Sequence, residues 1–405
     1  MTAVVTGIGV AAPTGMSLAE HWSRLLEGRS AIGPITRFAT DRYPVRLAGE
    51  VGGFRVAEHV PGRLAVQTDH WTHLGLTAAA QALADAAVDP AALPEYEMAV
   101  VTASSSGGTE FGQREIHGLW SQGPDHVGAY QSIAWFYAAT TGQISIRHGM
   151  RGPCGVVCAE QAGGIEAAAR SRRLLGTGAR VVLTGGTDAS LCPYGLTAQL
   201  STNLLSERGD PAEAYLPFDE RANGYVPGEG GAMLVVEEEQ AAAERGAPQV
   251  YGRLAGFGSS FDPAPGSSRP PGLRRAAELA LADAGITPAG IGIVFADAAG
   301  SAEPDQREAE AITALFGPGG VPVTAPKTMT GRLYAGGAPL DLVAALMSLR
   351  HGVVPPTAGV TRPVRDHRLD LVTEPRRTRA SAALVLARGH GGFNAAAVVA
   401  AAGPS

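Results

Sequence analysis

The segment best suited to chemistry is the run from Val156 to Gly164, which reads Val-Val-Cys-Ala-Glu-Gln-Ala-Gly-Gly. β-Branched residues end a predicted strand, and small residues then open a predicted helix. A sharp strand-to-helix turn exposes its central residue and directs backbone N–H groups towards it, which suits a nucleophile. A cysteine there would gain thiolate character from the helix N-terminus. The residue is Gln161, whose amide does not ionise near neutral pH, so the first question is whether this is an active site at all.

Few other residues offer reactive groups. The three cysteines, Cys154, Cys158 and Cys192, are too few for a disulfide framework or a zinc site, and we interpret them as buried, unreactive thiols in a reducing cytoplasm. Lys327 is the only lysine among 32 basic residues. Because every other basic residue counted here is an arginine, a lysine at this position suggests a specific role.

Composition excludes several classes of function. The chain has 405 residues, 45% hydrophobic and 17% charged, which is ordinary for a globular protein of two or three domains or one large fused core. A net charge of −6 without a basic block argues against nucleic acid as a partner. No apolar run reaches the ~18 residues of a membrane span, and the N-terminus lacks the basic segment of a signal peptide. We expect neither a metal nor a cofactor.

Strand and helix patterns alternate in two successive halves, on either side of a linker rich in proline, glycine and serine at 262–272. This alternation predicts an α/β architecture with helices layered on mixed sheets. We divide the chain at 1–250 and 251–405, although the two halves interleave too closely to be called independent domains. The run Gly7–Ala12 loosely matches a dinucleotide-binding pattern and keeps a nucleotide-binding enzyme open as an alternative.

Two segments of the first half are candidates for lining a site or an interface. A helix predicted over 109–120 places Thr109, Gly112 and Ile116 on one face. A second helix is predicted over 129–148, with three aromatic residues in its middle. These are Trp135, Phe136 and Tyr137. Such a cluster belongs either to the core or to an interface.

The order of motifs along nearly the whole chain resembles the β-ketoacyl-ACP synthases of the thiolase fold. The motifs are Gly152-Pro153, the Gln161 turn, Pro217-Phe218-Asp219, Gly228-Glu229-Gly230, Lys327 to Gly331 and Gly391 to Asn394. Within that family, Val157–Gly164 and Ala214–Asp219 are most similar to the chain-length factors, the ketosynthase β-subunits of type II polyketide synthases. The resemblance implies a thiolase-like α/β fold, in which two pseudo-repeated halves form a layered α-β-α-β-α core with mixed sheets.

The family's catalytic set of one cysteine and two histidines is absent. By the resemblance, Gln161 occupies the cysteine position, Asp297 the first histidine position and Arg332 the second. The loop Arg388–Gly392 also lacks the family's gating phenylalanine. The resemblance therefore implies a subunit of an acyltransferase complex that itself lacks catalytic residues.

The replacements at the histidine positions suggest a structural role. In the synthases the two histidines face one small pocket, so Asp297 and Arg332 could form an ion pair there. Our hypothesis is that this pair, joined by Glu308 or Lys327, fills and locks the former active site. The alternative is that each side chain faces water or a separate partner.

The resemblance also implies partners. The chain would form an obligate heterodimer with a catalytic ketosynthase α-subunit, and acyl carrier protein would be reached mainly through that subunit. The polyketide would grow on the α-subunit's cysteine into a tunnel lined by Thr109, Gly112 and Ile116. Small residues at 109 and 112 imply a long product, a decaketide or longer. The aromatic cluster and the segment 139–146 match the family's subunit interface.

A catalytic alternative remains at this stage. Some ketosynthase domains with glutamine at the cysteine position decarboxylate malonyl-ACP to supply a starter unit. Such domains keep both histidines, whereas here Asp297 would repel the malonyl carboxylate and Arg332 could not transfer protons at neutral pH. The alternative is therefore a decarboxylase or acyltransferase that depends on Gln161.

Overall fold

The computed structural model describes residues 1–264 and 266–403. The strands in this part of the chain are β1 (Ala3–Ala11), β2 (Ile32–Pro34), β3 (Leu47–Gly49), β4 (Met98–Ala103), β5 (Cys154–Val157), β6 (Val181–Asp188), β7 (Gly230–Glu238), β8 (Gly252–Phe261), β9 (Ile293–Phe295), β10 (Pro322–Thr324), β11 (Val353–Val354), β12 (Asp370–Leu371), β13 (Arg376–Arg377), β14 (Ala382–Gly389) and β15 (Phe393–Ala400). The α-helices are α1 (Leu18–Leu26), α2 (Val56–His59), α3 (Gly62–Ala65), α4 (His70–Asp85), α5 (Thr109–Gln122), α6 (Gln131–Ala134), α7 (Ala139–His148), α8 (Gly163–Leu175), α9 (Pro193–Leu200), α10 (Glu239–Glu244), α11 (Leu273–Ala284), α12 (Ala302–Phe316) and α13 (Gly337–His351).

Two half-sheets of the same topology form the framework. The first runs β1-β7-β6-β4-β5 and the second β8-β15-β14-β9-β10, and the short β12 adds an edge strand beyond β10. When the five strands named in each half are counted along the chain, both half-sheets have the order first, fifth, fourth, second, third. In both, the first two pairings are antiparallel and the last two are parallel. β1 and β8 join the halves through the pairs Val4–Arg253 and Val5–Gly252. This internal repeat fits the expected thiolase-like fold.

Helices cover both faces of each half-sheet. The buried α4 packs on the outer face of the first half-sheet, and α11 and α12 pack on the outer face of the second. Between the half-sheets, α8 and α13 share one apolar core with strands of both. The result is the predicted α-β-α-β-α layering with mixed sheets. Because the middle layer belongs to both halves, the division at residue 250 stays a prediction.

The glycines of the loose dinucleotide pattern lie inside β1 rather than in a phosphate-binding loop. A Cβ on Gly7 or Gly9 would overlap the carbonyl oxygens of Ala82 or Ala78 in α4. These glycines therefore allow a helix to pack closely on a strand, and the nucleotide-binding alternative loses its only support. None of the described helices is long and apolar enough to cross a membrane.

The continuous helix predicted over 129–148 is wrong in its middle. The segment forms the short α6 and the longer α7, separated by the aromatic residues 135–137. The N–H of Gly108 donates to the carbonyl oxygen of Trp135 at 3.2 Å. Tertiary contact with the turn before α5 therefore holds the chain at the break, which a helical period in the sequence does not reveal.

The interpretation of the cysteines is correct only for Cys192, which is buried. Cys154 and Cys158 are exposed. Cys154 begins β5 and Cys158 follows its last residue, and β5 is the edge strand of the first half-sheet, paired among the described residues with β4 alone. Burial raises the pKa of both exposed thiols, so neither is an activated thiolate.

Candidate functional site

Gln161 lies in a short 3-10 turn, Glu160–Ala162, between β5 and α8. Its side chain is fully buried against Gly337, where a Cβ would come within 2.8 Å of the amide oxygen. Neither amide atom has a hydrogen-bond partner among the described residues. The adjoining void measures about 10 Å³, room for about one water molecule. A malonyl group therefore cannot reach the amide in this conformation.

The predicted ion pair between Asp297 and Arg332 is present. Nη2 of Arg332 lies 2.9 Å from Oδ1 and 3.1 Å from Oδ2 of Asp297, and Nη1 donates to the Asp297 carbonyl oxygen at 3.1 Å. Both side chains are buried, at 0% and 5% relative exposure. The two positions predicted to correspond to the family's histidines thus hold opposite charges in direct contact.

Further charged residues extend the pair into a network. Arg388 donates from Nε to Asp297 at 3.2 Å and from Nη2 to Glu308 at 3.1 Å. Glu308 also accepts the backbone N–H groups of Asp297 and Ala298, at 2.7 and 2.8 Å. Glu308 therefore joins the network as hypothesised, through an arginine that the sequence argument overlooked.

Lys327 is the second link. Its Nζ donates to the carbonyl oxygens of Ala296 and Asp297 at 2.9 and 3.1 Å, and lies 2.8 Å from Oδ2 of Asp341. The lysine thus links the backbone at Asp297 to Asp341 of α13. This contact accounts for the single lysine of the chain without a catalytic role.

The charge states follow from burial and neighbours. Burial alone would raise the pKa of Asp297, but Arg332, Arg388 and Lys327 outweigh it and lower the pKa to about 2. Burial raises the pKa of Glu308, although the charge of Arg388 opposes the shift. Asp297 is therefore ionised at neutral pH and paired with guanidinium groups, an arrangement that holds charge and does not transfer protons.

Two non-glycine residues at the site have a strained backbone. Glu160, immediately before Gln161, has φ +48°, and Ala298, immediately after Asp297, has φ +52°. Non-glycine residues in this region cost about 1–3 kcal/mol each and are concentrated at functional sites. The strain therefore lies directly beside two of the predicted site residues.

A cavity of about 480 Å³ adjoins the network. Asp297, Arg332 and Arg388 form part of its wall, whereas Gln161 does not line it. The remaining wall is mixed. It includes Ser105, Ser106, Thr109, Glu160, Ser190, Gln199, Tyr225, Tyr334 and Phe393. The cavity is large enough for an elongated organic chain and offers hydroxyl groups along it.

The three predicted tunnel residues occupy different surroundings. Thr109 is buried and lines the cavity. Gly112 is buried beneath the indole of Trp135, with a Cβ position only 2.8 Å from Cδ1. Ile116 is 47% exposed. The face that they share thus runs from the cavity to the surface, and their tunnel role remains a prediction.

The aromatic cluster lies on the surface of the chain. Trp135, Phe136 and Tyr137 are 53%, 44% and 45% exposed, which excludes the core alternative for them within this chain. Further apolar side chains between residues 116 and 146 are exposed as well. These are Ile116, Leu119, Trp120, Val127, Tyr130, Ile133 and Ile146. A surface this apolar is typical of a protein–protein interface.

Sequence reasoning missed Arg388, Asp341 and Glu160. Glu160 lines the cavity, accepts the N–H of His390, and has its pKa raised by burial although Arg332 opposes the shift. For Arg388 a signal existed, because this arginine falls within the otherwise apolar strand β14. A comparable signal marked Asp341, the only acidic residue of the largely apolar α13.

The family models for the N-terminal and C-terminal domains of β-ketoacyl synthases match residues 2–242 and 251–361. The fold and the two matched domains together define a ketosynthase scaffold. The chain belongs to the β-ketoacyl synthase family.

Relatives within this family are similar to the chain over nearly its whole length. The tetracenomycin polyketide synthase ketoacyl synthase β-subunit of Streptomyces glaucescens is 56% identical over 398 residues, covering 98% of this chain and 97% of the relative. A 3-oxoacyl-(acyl-carrier-protein) synthase 2 of Synechocystis is 31% identical and covers 96% of both. The solved ishigamide ketosynthase/chain length factor superposes with a TM-score of 0.90, at 25% identity and 99% coverage of both chains.

Proposed function

We propose that this chain is the ketosynthase β-subunit, or chain-length factor, of a type II polyketide synthase. It pairs with a catalytic ketosynthase α-subunit, lines the tunnel into which the polyketide grows, and limits the number of units added. The 56% identical relative named as a ketoacyl synthase β-subunit supports this assignment. The chain would act in the cytoplasm, in keeping with three unpaired cysteines.

One observation carries the non-catalytic role: the former catalytic positions are closed by contacts within the chain itself. Asp297 and Arg332 pair with each other, and Arg388 of β14 binds Asp297 as well. Removing a single member would leave a buried charge without its partner, which is unfavourable. The site therefore contributes stability to a scaffold, and the thioester chemistry takes place on the α-subunit.

The geometry does not favour the decarboxylase alternative. Gln161 is fully buried and separated from the 480 Å³ cavity, so its amide cannot bind a malonyl thioester there. The carboxylates of Glu160 and Asp297 line that cavity instead and would repel a malonyl carboxylate. Cys158 does not replace the missing nucleophile, because burial raises the pKa of its thiol.

The α-subunit is expected to cover two neighbouring features. The first is β5, an edge strand with unpaired backbone groups on its outer side. The second is the exposed apolar surface around Trp135, Phe136 and Tyr137. Obligate interfaces of this kind are apolar and commonly bury more than ~2,000 Å². Acyl carrier protein would then be bound mainly by the α-subunit.

Reconstitution tests the proposal. This chain is co-expressed with a ketosynthase α-subunit that has its catalytic cysteine and histidines, and the purified pair is supplied with malonyl-ACP. We expect polyketide from the pair and from neither subunit alone, and none when the α-subunit's cysteine is replaced. A Gln161→Asn variant should retain the parent rate within about twofold. Malonyl-ACP decarboxylation by the isolated chain, abolished by Gln161→Asn, would instead establish the catalytic alternative.

A further inference from the structure

Gly112 affects the tunnel face indirectly, because an indole covers it. The three atoms nearest to a Cβ on Gly112 all belong to Trp135: Cδ1 at 2.8 Å, Nε1 at 3.5 Å and Cγ at 3.7 Å. A Cβ contact below 3.0 Å requires a neighbouring group to move. Any side chain at position 112 must therefore displace the indole before it can reach the space beyond.

The backbone of Trp135 is held while its ring remains half exposed. Gly108 donates its N–H to the Trp135 carbonyl oxygen at 3.2 Å, and a Cβ on Gly107 would lie 2.6 Å from that oxygen. Gly107 has φ +67°, a conformation that glycine adopts without strain. The turn before α5 thus fixes the main chain at Trp135, and the 53% exposed side chain has room to change its position.

The indole of Trp135 lies where it can affect product length. Thr109, one turn before Gly112 on the same helix face, lines the 480 Å³ cavity, and Ile116, one turn after it, is exposed. Trp135 therefore covers this face between the cavity and the surface that the α-subunit is expected to bury. It is a bulky side chain in direct contact with the predicted tunnel face at Gly112.

We propose that Trp135 is a further residue that determines polyketide length, and that residue 112 acts on length through the indole. This inference rests on the proposed function as a chain-length subunit. Gly112 leaves the indole against α5, and a larger residue at 112 moves the ring into the tunnel. Gly112→Ala therefore shortens the product by displacing Trp135, while Trp135→Leu removes bulk and lengthens it.

A double-mutant cycle in the reconstituted synthase tests the proposal, with products separated by mass. Trp135→Leu should shift the main product upward by at least one two-carbon unit, and Gly112→Ala should shift it downward. In the Trp135→Leu background, Gly112→Ala should have no further effect. The matched control is Tyr96→Leu, which removes an exposed ring that lies outside the proposed interface surface and is not among the groups nearest to Gly112; its product length should equal the parent's.

Two results would overturn the proposal: an unchanged product from an assembled Trp135→Leu pair, or independent effects of the two substitutions. If Trp135→Leu fails to assemble, the parent and Gly112→Ala pairs labelled with 5-fluorotryptophan decide the question. The Trp135 fluorine resonance must shift in Gly112→Ala, and an unmoved resonance refutes the mechanism. A parent chain that yields no polyketide with its α-subunit would count against the proposed function instead.

Discussion

Replacing Arg332 by methionine is the most informative single change, because it keeps an apolar stem of similar length and removes one charge. Asp297 would lose the contacts at 2.9 and 3.1 Å and keep those from Arg388. The lowering of the Asp297 pKa from 3.8 to about 2 corresponds to about 2–3 kcal/mol of net stabilisation at neutral pH. Breaking a buried ion pair by removing one partner costs ~3–5 kcal/mol. We therefore expect Arg332→Met to lower the free energy of unfolding by about 3 kcal/mol.

The double variant Asp297→Asn/Arg332→Met separates a lost charge partner from lost packing. It leaves no unpaired carboxylate, so it should be more stable than Arg332→Met alone, by at least ~1 kcal/mol. Because no reaction passes through the pair, the double variant should also support polyketide synthesis at the parent rate within about twofold. That readout distinguishes a structural network from a catalytic one.

The measurement is urea unfolding of the purified heterodimer at one fixed concentration, since dissociation is coupled to unfolding. Arg24→Met is the control: Arg24 pairs with Glu20 at 2.9 Å on the surface, with side chains 37% and 45% exposed, and should change stability by less than ~1 kcal/mol. The stabilisation from Asp297 is present above pH 3.8 and lost as pH falls through about 2, so the deficit of Arg332→Met should shrink in acid. A deficit no larger than the control's, or a double variant as unstable as the sum of the single ones, would refute the reasoning.

Three further predictions concern other regions. Burial raises the pKa of Asp188 to about 7, so the free energy of unfolding should fall as the pH rises from 4 to 7. Asp188→Asn should reduce this dependence on pH. The variant should also be more stable than the parent at pH 8, as measured by urea titration. Iodoacetamide at pH 9 should label Cys154 and Cys158 in the isolated chain and spare them in the heterodimer, as read by mass spectrometry. Gly164→Ala should destabilise by several kcal/mol or prevent folding, because its Cβ would overlap Pro339 of α13.

Each of these has its own control. Oδ1 of Asp188 accepts from Ser190 at 2.9 Å and Oδ2 has no partner among the described residues, so asparagine keeps the contact; an unaltered pH slope would contradict the assignment. Buried Cys192 should resist labelling in the isolated chain and in the heterodimer. Equal labelling of Cys154 and Cys158 in the two samples would argue against their place in the interface. Gly62→Ala, where a Cβ meets nothing within 4 Å, should be nearly neutral.

Some features followed directly from local sequence. The helix predicted from Thr109 begins at that residue, because local periodicity defines it. The predicted absence of the family's catalytic residues was equally readable, since each position lies inside a contiguous motif. A side chain that can neither attack nor transfer a proton is identified by its type alone, whatever surrounds it.

Other features depended on where distant segments meet. Arg388 binds Asp297 across 91 positions of sequence, and Gln161 is closed off by Gly337 of α13. The helix break at Trp135 likewise reflects a contact with the turn before α5. The exposure of Cys154 and Cys158 reflects the position of β5 at the edge of the sheet. The sequence alone determined which reactive groups the protein lacks, because that depends on side-chain chemistry. Only the tertiary structure decided how the vacated site is filled, because pairing of buried charges depends on the path of the whole chain.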